Sequence, residues 1–256
     1  MATYRIISCN VRLDTPSDGE QQFIYRADNL CKRLMELDAD VIGFQEVTHK
    51  MRPWLIERMP GYAFVGAGRE QDRLGEGSLI AYKQSKFILE RLVSDVLSPT
   101  PHIPGTTYGA DQSKCPRIFS SADLMPLEGG TPLRLMNIHT DHLGVNARML
   151  EVEQLMASFS EQNALRPMPT VLTGDFNATP DAPEIVKIST GGIFTDVTAD
   201  IEGTFHDFGR LNESAKIDYV FVTHDIKCTA AFGVHEIRDG LYLSDHDPVV
   251  ADITVH

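Results

Sequence analysis

The residues of this chain that can hold a metal ion or move a proton gather at the ends of predicted strands. Asn10 lies at the end of the first predicted strand, and Glu46 follows the run Val41–Gln45. The same pattern recurs along the chain at Asn137, His139, Asp141, His142, Asp175, Asn177, Asp218, Asp245 and His246. Because several strand ends can meet at one edge of a sheet, the pattern predicts one shared polar pocket.

These side chains are suited to the hydrolysis of a phosphoester bond with the help of a metal ion. Carboxylate and amide oxygens are the ligands that Mg²⁺ and Mn²⁺ prefer, and these cations stabilise negative charge on a phosphoryl group. A histidine can accept or donate a proton near neutral pH, and a neighbouring carboxylate can fix its tautomer. The residue types therefore point to the attack of water on phosphorus.

Each motif also has a structural explanation when it is taken alone. Gly174–Asn177 has the composition of a turn, and Ser244–Pro248 can be a loop before a strand. Asn10 can satisfy a strand end, and Glu46 can cap the following segment. Short motifs often mislead for this reason. The number of carboxylates, amides and histidines at successive strand ends exceeds what packing needs, and this favours a functional site.

The elements that must position these residues are mainly strands. The predicted strands are Tyr4–Val11, Asp40–Gln45, Ser78–Tyr82, Ile88–Val96, Ile118–Asp123, Leu133–Thr140, Thr170–Thr173, Ile217–Val222 and Pro248–Val255. Apolar residues at helical spacing predict helices over Ile24–Leu37 and Asn146–Phe159. The segment Ser98–Pro116 is rich in Pro, Gly and Thr, and this composition predicts a long loop. This order of elements indicates two packed sheets flanked by helices.

Composition and charge limit the class of protein and of substrate. The chain has 256 residues, of which 42% are hydrophobic and 23% charged, as in an ordinary globular protein with a large core. No linker or repeat divides it, and we expect one catalytic domain over residues 1–256. The formal net charge is −13. Because binders of nucleic acid usually present a basic surface, this charge disfavours a nucleic-acid substrate without excluding it.

The cysteines and the start of the chain bear on its location. Cys9, Cys31, Cys115 and Cys228 lie far apart and form no C-x-x-C pair, which argues against a zinc site built on them. We interpret them as reduced thiols of a cytoplasmic protein. Met1–Ile7 lacks the pattern of a signal peptide, and no run approaches the ~20 apolar residues that span a bilayer. We therefore expect no membrane anchor.

The motifs together resemble the endonuclease/exonuclease/phosphatase superfamily, which includes deoxyribonucleases, abasic-site endonucleases, inositol polyphosphate 5-phosphatases, sphingomyelinases and deadenylases. The matching stretches are Ser8–Arg12, Gln45–Glu46, Asn137–His139, Gly174–Asn177, Lys216–Val220 and Ser244–Pro248, in the family's order. They cover nearly the whole chain. Further stretches resemble the small bacterial members of the superfamily, among them Asn10–Asp14, Pro116–Arg117, Asp141–Gly144 and Thr204–His206. The resemblance implies a four-layered α/β sandwich of two mainly antiparallel sheets flanked by helices.

The resemblance also implies a metal site. Glu46 matches the main ligand of a divalent cation, Mg²⁺ or Mn²⁺. Asn10 lies beside it in the family pattern, and Asp245 shares the metal. The place of Glu46, directly after a buried apolar strand, supports this assignment independently of the family.

The remaining family motifs imply catalytic roles. Asp175 and Asn177 match the pair that orients the attacking water and the phosphate. His246 matches a histidine that contacts the phosphate or handles a proton, with Asp218 as its carboxylate partner. His139 matches the second family histidine, which contacts the scissile phosphate or assists the leaving group. The division of labour between acid and base stays open.

Three further residues are candidates for binding the substrate. Arg117 follows a proline in a motif whose arginine can reach a phosphate, although a surface arginine ending a loop is the alternative. Asn137 precedes His139 in the same motif, and His206 belongs to Thr204–His206. The expected partner is a phosphoester, either a small molecule or a nucleic acid. The alternative function is a catalytically inactive member of the fold that binds a phosphorylated ligand.

Overall fold

The computed structural model describes residues 2–109 and 111–255, which form fourteen strands and four α-helices. The strands are β1 Ala2–Asn10, β2 Val41–Thr48, β3 Tyr62–Val65, β4 Glu76–Lys83, β5 Phe87–Val96, β6 Ile118–Pro126, β7 Leu133–His139, β8 Thr170–Asp175, β9 Phe194–Asp196, β10 Asp218–Thr223, β11 Ile226–Gly233, β12 Ile237–Arg238, β13 Leu241–Tyr242 and β14 Val249–Val255. The α-helices are α1 Phe23–Leu37, α2 Met51–Arg58, α3 Val145–Leu165 and α4 Pro183–Thr190. Short 3₁₀ segments occupy Pro16–Gln21 and Asp207–Gly209.

Two six-stranded sheets form the centre of the molecule. The first sheet has the order β11-β14-β1-β2-β4-β3, and the second has the order β5-β6-β7-β8-β10-β9. Only β1–β2 in the first sheet and β7–β8 in the second pair in parallel among the described strands. Each sheet is therefore mainly antiparallel with one parallel pair at its centre.

The two parallel pairs explain where a site can form. A parallel pair needs a crossover connection, and α1 connects β1 to β2 while α3 connects β7 to β8. The carboxyl ends of a parallel pair lie on one edge of its sheet. Asn10 ends β1, His139 ends β7 and Asp175 ends β8. The same strand–helix–strand arrangement in both sheets thus brings polar side chains to corresponding edges.

Three buried clusters hold four layers together. One cluster packs α1 and α2 on the outer face of the first sheet, with Leu30, Leu34 and Phe44 among its members. A second fills the space between the sheets. The third packs α3 and α4 on the second sheet and includes Leu155 and Phe194. This arrangement confirms the four-layered α/β sandwich expected from the sequence. The layers form because each helix buries its apolar stripe on a sheet face.

The structure also contains elements that the sequence patterns did not predict. The missed elements are α2, α4, β3, β9, β11 and the β12–β13 hairpin. Strand β11 is an edge strand whose residues are largely exposed, so it lacks the buried alternation that identifies a strand. Helix α3 runs six residues past the predicted end at Phe159. All four cysteines are free thiols. Across the described residues, no helix has the length and apolarity to cross a membrane.

Candidate active site

A polar pocket of about 390 Å³ opens where the central strands of both sheets end. Its lining contains five acidic residues, three arginines and three histidines: Glu46, Glu76, Asp175, Asp207 and Asp245, then Arg12, Arg69 and Arg117, then His139, His142 and His246. Leu13, Cys115, Asn177 and Phe205 complete the lining. Seven of the polar residues that the sequence places at strand ends line this pocket: Glu46, His139, His142, Asp175, Asn177, Asp245 and His246.

Glu46 reaches the pocket through an irregularity in β2. The pairing of β2 with β4 shifts register between Phe44 and Val47, and Glu46 has a left-handed backbone with φ of 65°. A bulge of this kind re-aims a side chain out of the regular alternation. The Glu46 carboxylate accepts hydrogen bonds from Leu13 N–H at 2.9 Å and from Asn10 Nδ2 at 3.0 Å. Burial opposes its ionisation, but these two bonds and the positive charges of His246 and Arg12 together outweigh burial and lower the pKa of Glu46.

Asn10 bridges two carboxylates instead of presenting its oxygen to the pocket. Its Nδ2 donates to Glu46 Oε1 and, at 2.9 Å, to Asp175 Oδ2. Its Oδ1 accepts a hydrogen bond from Arg12 N–H at 2.9 Å. The amide thus fixes the spacing of Glu46 and Asp175, and its role as a metal ligand stays a prediction.

Asp218, His246 and Asp175 form a buried chain of charged groups. His246 Nδ1 lies 2.8 Å from Asp218 Oδ2, and His246 Nε2 lies 3.8 Å from Asp175 Oδ2. Burial disfavours the imidazolium, but Asp218 and the other carboxylates raise the pKa of His246 well above its usual range. Burial and the charge of Asp218 raise the pKa of Asp175 to about 7. The predicted partnership of Asp218 with His246 is therefore present as a hydrogen bond.

His139 lies on the other side of Asp175, near a second acidic group. His139 Nε2 is 3.6 Å from Asp175 Oδ2. Single ligand atoms of Glu46, Glu76 and His139 lie within 4.8 Å of one another. Burial, followed by the charge of Arg117, lowers the pKa of His139 well below its usual range. The surroundings therefore favour the neutral form of His139 and the protonated form of His246.

Three guanidinium groups face these acidic residues. Arg117 Nη2 lies 2.8 Å from His142 Nδ1, and its Nε lies 3.5 Å from Asp141 Oδ2. The Nε of Arg117 is buried and makes no hydrogen bond to protein. Arg12 binds Asp18 through two hydrogen bonds of 2.9 and 3.0 Å. The pocket thus presents cationic donors to an anion beside carboxylates that suit a cation.

Asp245 and Asn177, both predicted from the sequence, line the same pocket. Asp245 Oδ2 lies 3.6 Å from Arg12 Nε, and burial raises the pKa of Asp245 against the opposing charge of His246. Asn177 has a left-handed backbone with φ of 47°, and its Nδ2 donates to the carbonyl of Thr140 at 3.0 Å. Both residues are thus positioned at the pocket by the loops that follow β8 and precede β14.

Two predicted substrate-binding residues do not line the pocket. Asn137 is fully buried between the sheets, where its Nδ2 donates to the carbonyls of Phe44 and Leu79. His206 is buried behind the pocket with its Nε2 3.2 Å from Asp247 Oδ1. Asn137 therefore joins the two sheets, and His206 supports a neighbouring loop.

Several lining residues have no role that the sequence predicts. Arg12 and His142 occur within the recognised motifs, but Arg69, Glu76 and Asp207 do not. Glu76 begins β4 and pairs with Thr48 of β2, close to the Glu46 bulge. Arg69 lies in the loop after β3 and contacts Glu76 through a short ion pair. Only the pairing of β2 with β4 brings these two residues to the site.

Comparison with known proteins identifies the family of this chain. A profile described as the Endonuclease/Exonuclease/phosphatase family matches residues 7–246. No curated protein sequence matches the chain. Among solved structures, an endonuclease/exonuclease/phosphatase from Bacteroides vulgatus is 29% identical, with a TM-score of 0.93 and full coverage of both chains.

Two structures from Bacteroides thetaiotaomicron are also similar. One is an endonuclease/exonuclease/phosphatase family protein with 26% identity and a TM-score of 0.88, over 100% of this chain and 98% of the other. The second is the mannosyl-6-phosphatase Bt3783, with 25% identity and a TM-score of 0.88, over 98% of this chain and 99% of the other. The profile match spans nearly all of the chain, and the motifs it covers meet in one pocket. This protein is therefore a member of the endonuclease/exonuclease/phosphatase family.

Proposed function

We propose that this protein is a divalent-metal-dependent hydrolase of phosphoesters. The proposal rests on the groups that meet in one pocket: buried carboxylates, three arginines and two histidines. The pKa of one histidine, His139, is lowered, and the pKa of the other, His246, is raised. Carboxylates hold a cation, the arginines hold a phosphate, and the histidines handle protons. Packing alone does not require these three kinds of group side by side.

The carboxylates of the pocket fit a hard divalent cation. Glu46 and Glu76 have carboxylate oxygens within 4.8 Å of each other, and Asp245 lines the same pocket. The raised pKa of both Asp175 and Asp245 means that their charge lacks full compensation, which a cation supplies. When bound, Mg²⁺ or Mn²⁺ neutralises the negative charge that develops on the phosphoryl oxygens.

The protein's own residues orient the water and the phosphate. Asp175, with a pKa raised to about 7, accepts the proton of the attacking water as the new P–O bond forms. The P–O bond to the leaving group breaks in the same displacement, and the leaving oxygen takes up a proton from solvent. Asn177 lies beside it and helps to hold the water. His246, fixed by Asp218, donates a hydrogen bond from Nε2 to a phosphoryl oxygen. His139, whose pKa is lowered, contacts the scissile phosphate or the leaving oxygen.

Arg117 is the main anion-binding residue in this proposal. Its Nε has no hydrogen-bond partner in the protein although it is buried, and an unpaired buried donor costs ~1–3 kcal/mol. A phosphate oxygen satisfies such a donor with a charge-assisted bond. Arg69 Nε also makes no hydrogen bond, although it lies 3.7 Å from Glu70 Oε1, and Arg69 lines the same pocket. The two arginines therefore form a pair suited to a doubly charged phosphate.

We propose that the natural substrate is a phosphomonoester of a small molecule. The pocket is compact, and the net charge of −13 repels polyanions at long range. The solved relative named mannosyl-6-phosphatase supports a phosphorylated sugar. A nucleic acid would instead need a basic surface around the pocket.

The test is hydrolysis of p-nitrophenyl phosphate and bis-p-nitrophenyl phosphate with Mg²⁺, with Mn²⁺ and with a chelator. We expect activity that the chelator abolishes and a preference for the monoester. Glu46→Gln should weaken metal binding in calorimetry and lower kcat by about 10²-fold or more, because the amide loses the charge that a hard cation needs. Glu57→Gln, at an exposed position on α2, is the matched control.

The outcomes separate the proposal from its alternatives. Metal-independent turnover, or unchanged metal affinity in Glu46→Gln, would contradict the metal-dependent mechanism. Binding of phosphate without turnover under any metal would indicate the inactive ligand-binding alternative. A panel of hexose phosphates and single-stranded oligonucleotides then tests the substrate class, since faster cleavage of the oligonucleotides would overturn the small-molecule assignment.

A further inference from the structure

A second group of side chains of the types that ligate metals lies outside the catalytic pocket. His235, in the segment after β11, has its Nδ1 3.1 Å from both carboxylate oxygens of Asp247, which precedes β14. His206 Nε2 lies 3.2 Å from Asp247 Oδ1. Single ligand atoms of these three residues fall within 4.8 Å of one another. None of the three lines the catalytic pocket.

The hydrogen bonds of His206 make it the residue that orients Asp247. The backbone N–H of Gly209 donates to His206 Nδ1 at 3.3 Å, so the proton of the neutral imidazole is on Nε2. That proton is donated to Asp247 Oδ1. The His206 ring is buried and lies 4.9 Å from the ring of Tyr242. A carboxylate fixed in this way by a buried histidine is the usual support behind a metal ligand.

His235 and Asp247 both face an open cleft of about 540 Å³. Glu202, Glu213, Gly203 and Ser214 complete its lining, so it contains three carboxylates and no lysine or arginine. The side chain of His235 is 63% exposed, whereas that of Asp247 is 12% exposed. The cleft therefore combines an accessible imidazole, an oriented carboxylate and a negative environment.

The spacing of the two facing donors matches a shared cation. Metal–nitrogen and metal–oxygen distances of about 2.0–2.2 Å give a donor separation of roughly 3.0–3.4 Å, between octahedral and tetrahedral geometry. The observed 3.1 Å between His235 Nδ1 and Asp247 lies in this range. A nitrogen ligand selects for transition metals over Mg²⁺, which prefers oxygen.

We propose that this cleft is a second metal site, which binds Zn²⁺ or a similar transition-metal cation. His235 Nδ1 and the Asp247 carboxylate are the inner ligands, and Glu202 and Glu213 contribute from the rim. The cation would connect the segment after β11 with the loop that carries Asp245 and His246. This site is separate from the catalytic metal and does not depend on the proposed hydrolysis.

The test measures how many zinc ions the full-length protein binds. The protein, His235→Ala and the control His102→Ala are dialysed against Zn²⁺ alone, and bound zinc is counted by elemental analysis. His102 is a matched control because it is an exposed histidine whose Nδ1 lies 3.0 Å from Asp95 Oδ1, and neither residue lines the catalytic pocket or the cleft. We expect His235→Ala to bind one equivalent fewer than the native protein, and His102→Ala to bind the same number.

Repeating the count in the Glu46→Gln background separates the two metal proposals. The difference caused by His235→Ala should persist there, whether or not Glu46→Gln itself removes an ion. Asp247→Asn is a second variant, with circular dichroism to confirm folding, and it should also lose one equivalent. Equal zinc binding by His235→Ala and the native protein would overturn the proposal and leave His235–Asp247 as an ordinary ion pair.

Discussion

Backbone strain is concentrated around the catalytic pocket. Eight non-glycine residues in the described part of the chain have positive φ, and four of them line the pocket: Arg12, Glu46, Asn177 and Asp207. A left-handed conformation costs a non-glycine residue roughly 1–2 kcal/mol. The surrounding hydrogen bonds, such as Leu13 N–H to Glu46, hold these conformations in place. The strain directs side chains into the pocket that a regular strand would point elsewhere.

The hydrogen bond between Asp218 and His246 leads to the first prediction. Asp218→Asn should lower kcat by about 10²–10⁴-fold, because the imidazole loses the carboxylate that orients it and stabilises its charge. His246→Ala should lower kcat at least as much. The double variant should lose little more than the worse single variant, since groups that act as a unit are non-additive. Steady-state kinetics on p-nitrophenyl phosphate, with circular dichroism to confirm folding, provides the measurement.

Additive losses in the double variant would show that the two residues act independently. The other opposing result is near-native kcat in either single variant that still folds. Asp218 would then only stabilise the turn at the start of β10. Lys187→Ala, on the exposed face of α4, is a suitable control for the effect of a surface substitution on the measured kcat.

Glu151 leads to a second prediction, which concerns stability and pH. Burial raises the pKa of Glu151 to about 7, although the carboxylate accepts a hydrogen bond from Asp141 N–H. The folded state therefore holds this proton more tightly than the unfolded state, whose pKa is near 4.5. The free energy of unfolding should fall as pH rises from about 5 to 7, by up to about 3 kcal/mol from this group.

Glu151→Gln should remove this part of the pH dependence. The amide stays neutral, so the variant should gain stability relative to the native protein as pH rises through 7. Urea unfolding at pH 5, 6, 7 and 8 measures the effect. Glu153→Gln, two residues along α3 and paired with Lys187 at the surface, is the matched control. Parallel pH curves for Glu151→Gln and the native protein would refute the assignment.

At the scale of elements, a polar junction joins the two sheets beneath the pocket. Asn137 of β7 donates to two carbonyls of the first sheet and accepts a hydrogen bond from Gln45 Nε2 at 2.7 Å. Gly43 of β2 lies opposite this group. A Cβ at Gly43 would come within 2.2 Å of Thr173 Oγ1 and 2.7 Å of Asn137 Oδ1. The absence of a side chain at Gly43 therefore lets the sheets approach closely.

Gly43→Ala should destabilise the protein by about 1–3 kcal/mol, because the added methyl group overpacks this junction. Gly233→Ala is the matched control in the same sheet, since a Cβ there would meet only Ile201 Cγ2 at 3.8 Å. The control should change stability by less than about 1 kcal/mol. Urea denaturation compares the two variants, and equal effects would mean that the junction tolerates the methyl group.

At the scale of the whole molecule, the shared core between the sheets predicts one cooperative unit. Ile6 and Val41 from the first sheet pack with Leu135 and Val171 from the second in the same buried cluster. Neither sheet can unfold without exposing this surface to water. We expect a single thermal transition, with calorimetric and van't Hoff enthalpies that agree. Two resolved transitions, or a van't Hoff enthalpy well below the calorimetric one, would instead indicate separate domains.

The sequence by itself determined the fold class and most of the chemical groups. Apolar runs and helical spacing are local properties, so β1, α1, β7 and α3 were predictable from their own residues. Nine of the eleven candidate residues meet around the pocket or, like Asp218 and Asn10, directly support residues that line it. Their order along the chain is also a property of the sequence, and the family resemblance depended on that order.

The tertiary structure alone decided which of these groups reach the pocket. The alternation of side chains along β7 predicts that Asn137 and His139 share one face of the sheet, but it does not predict how far each lies from the pocket. Asn137 lies two residues before the end of the strand and is buried in the junction between the sheets. Glu76 and Arg69 have no motif, because their place depends on the pairing of β2 with β4. His235 and Asp247 likewise come into contact only because the loops that carry them pack together. Such long-range contacts depend on the whole core, which no local pattern encodes.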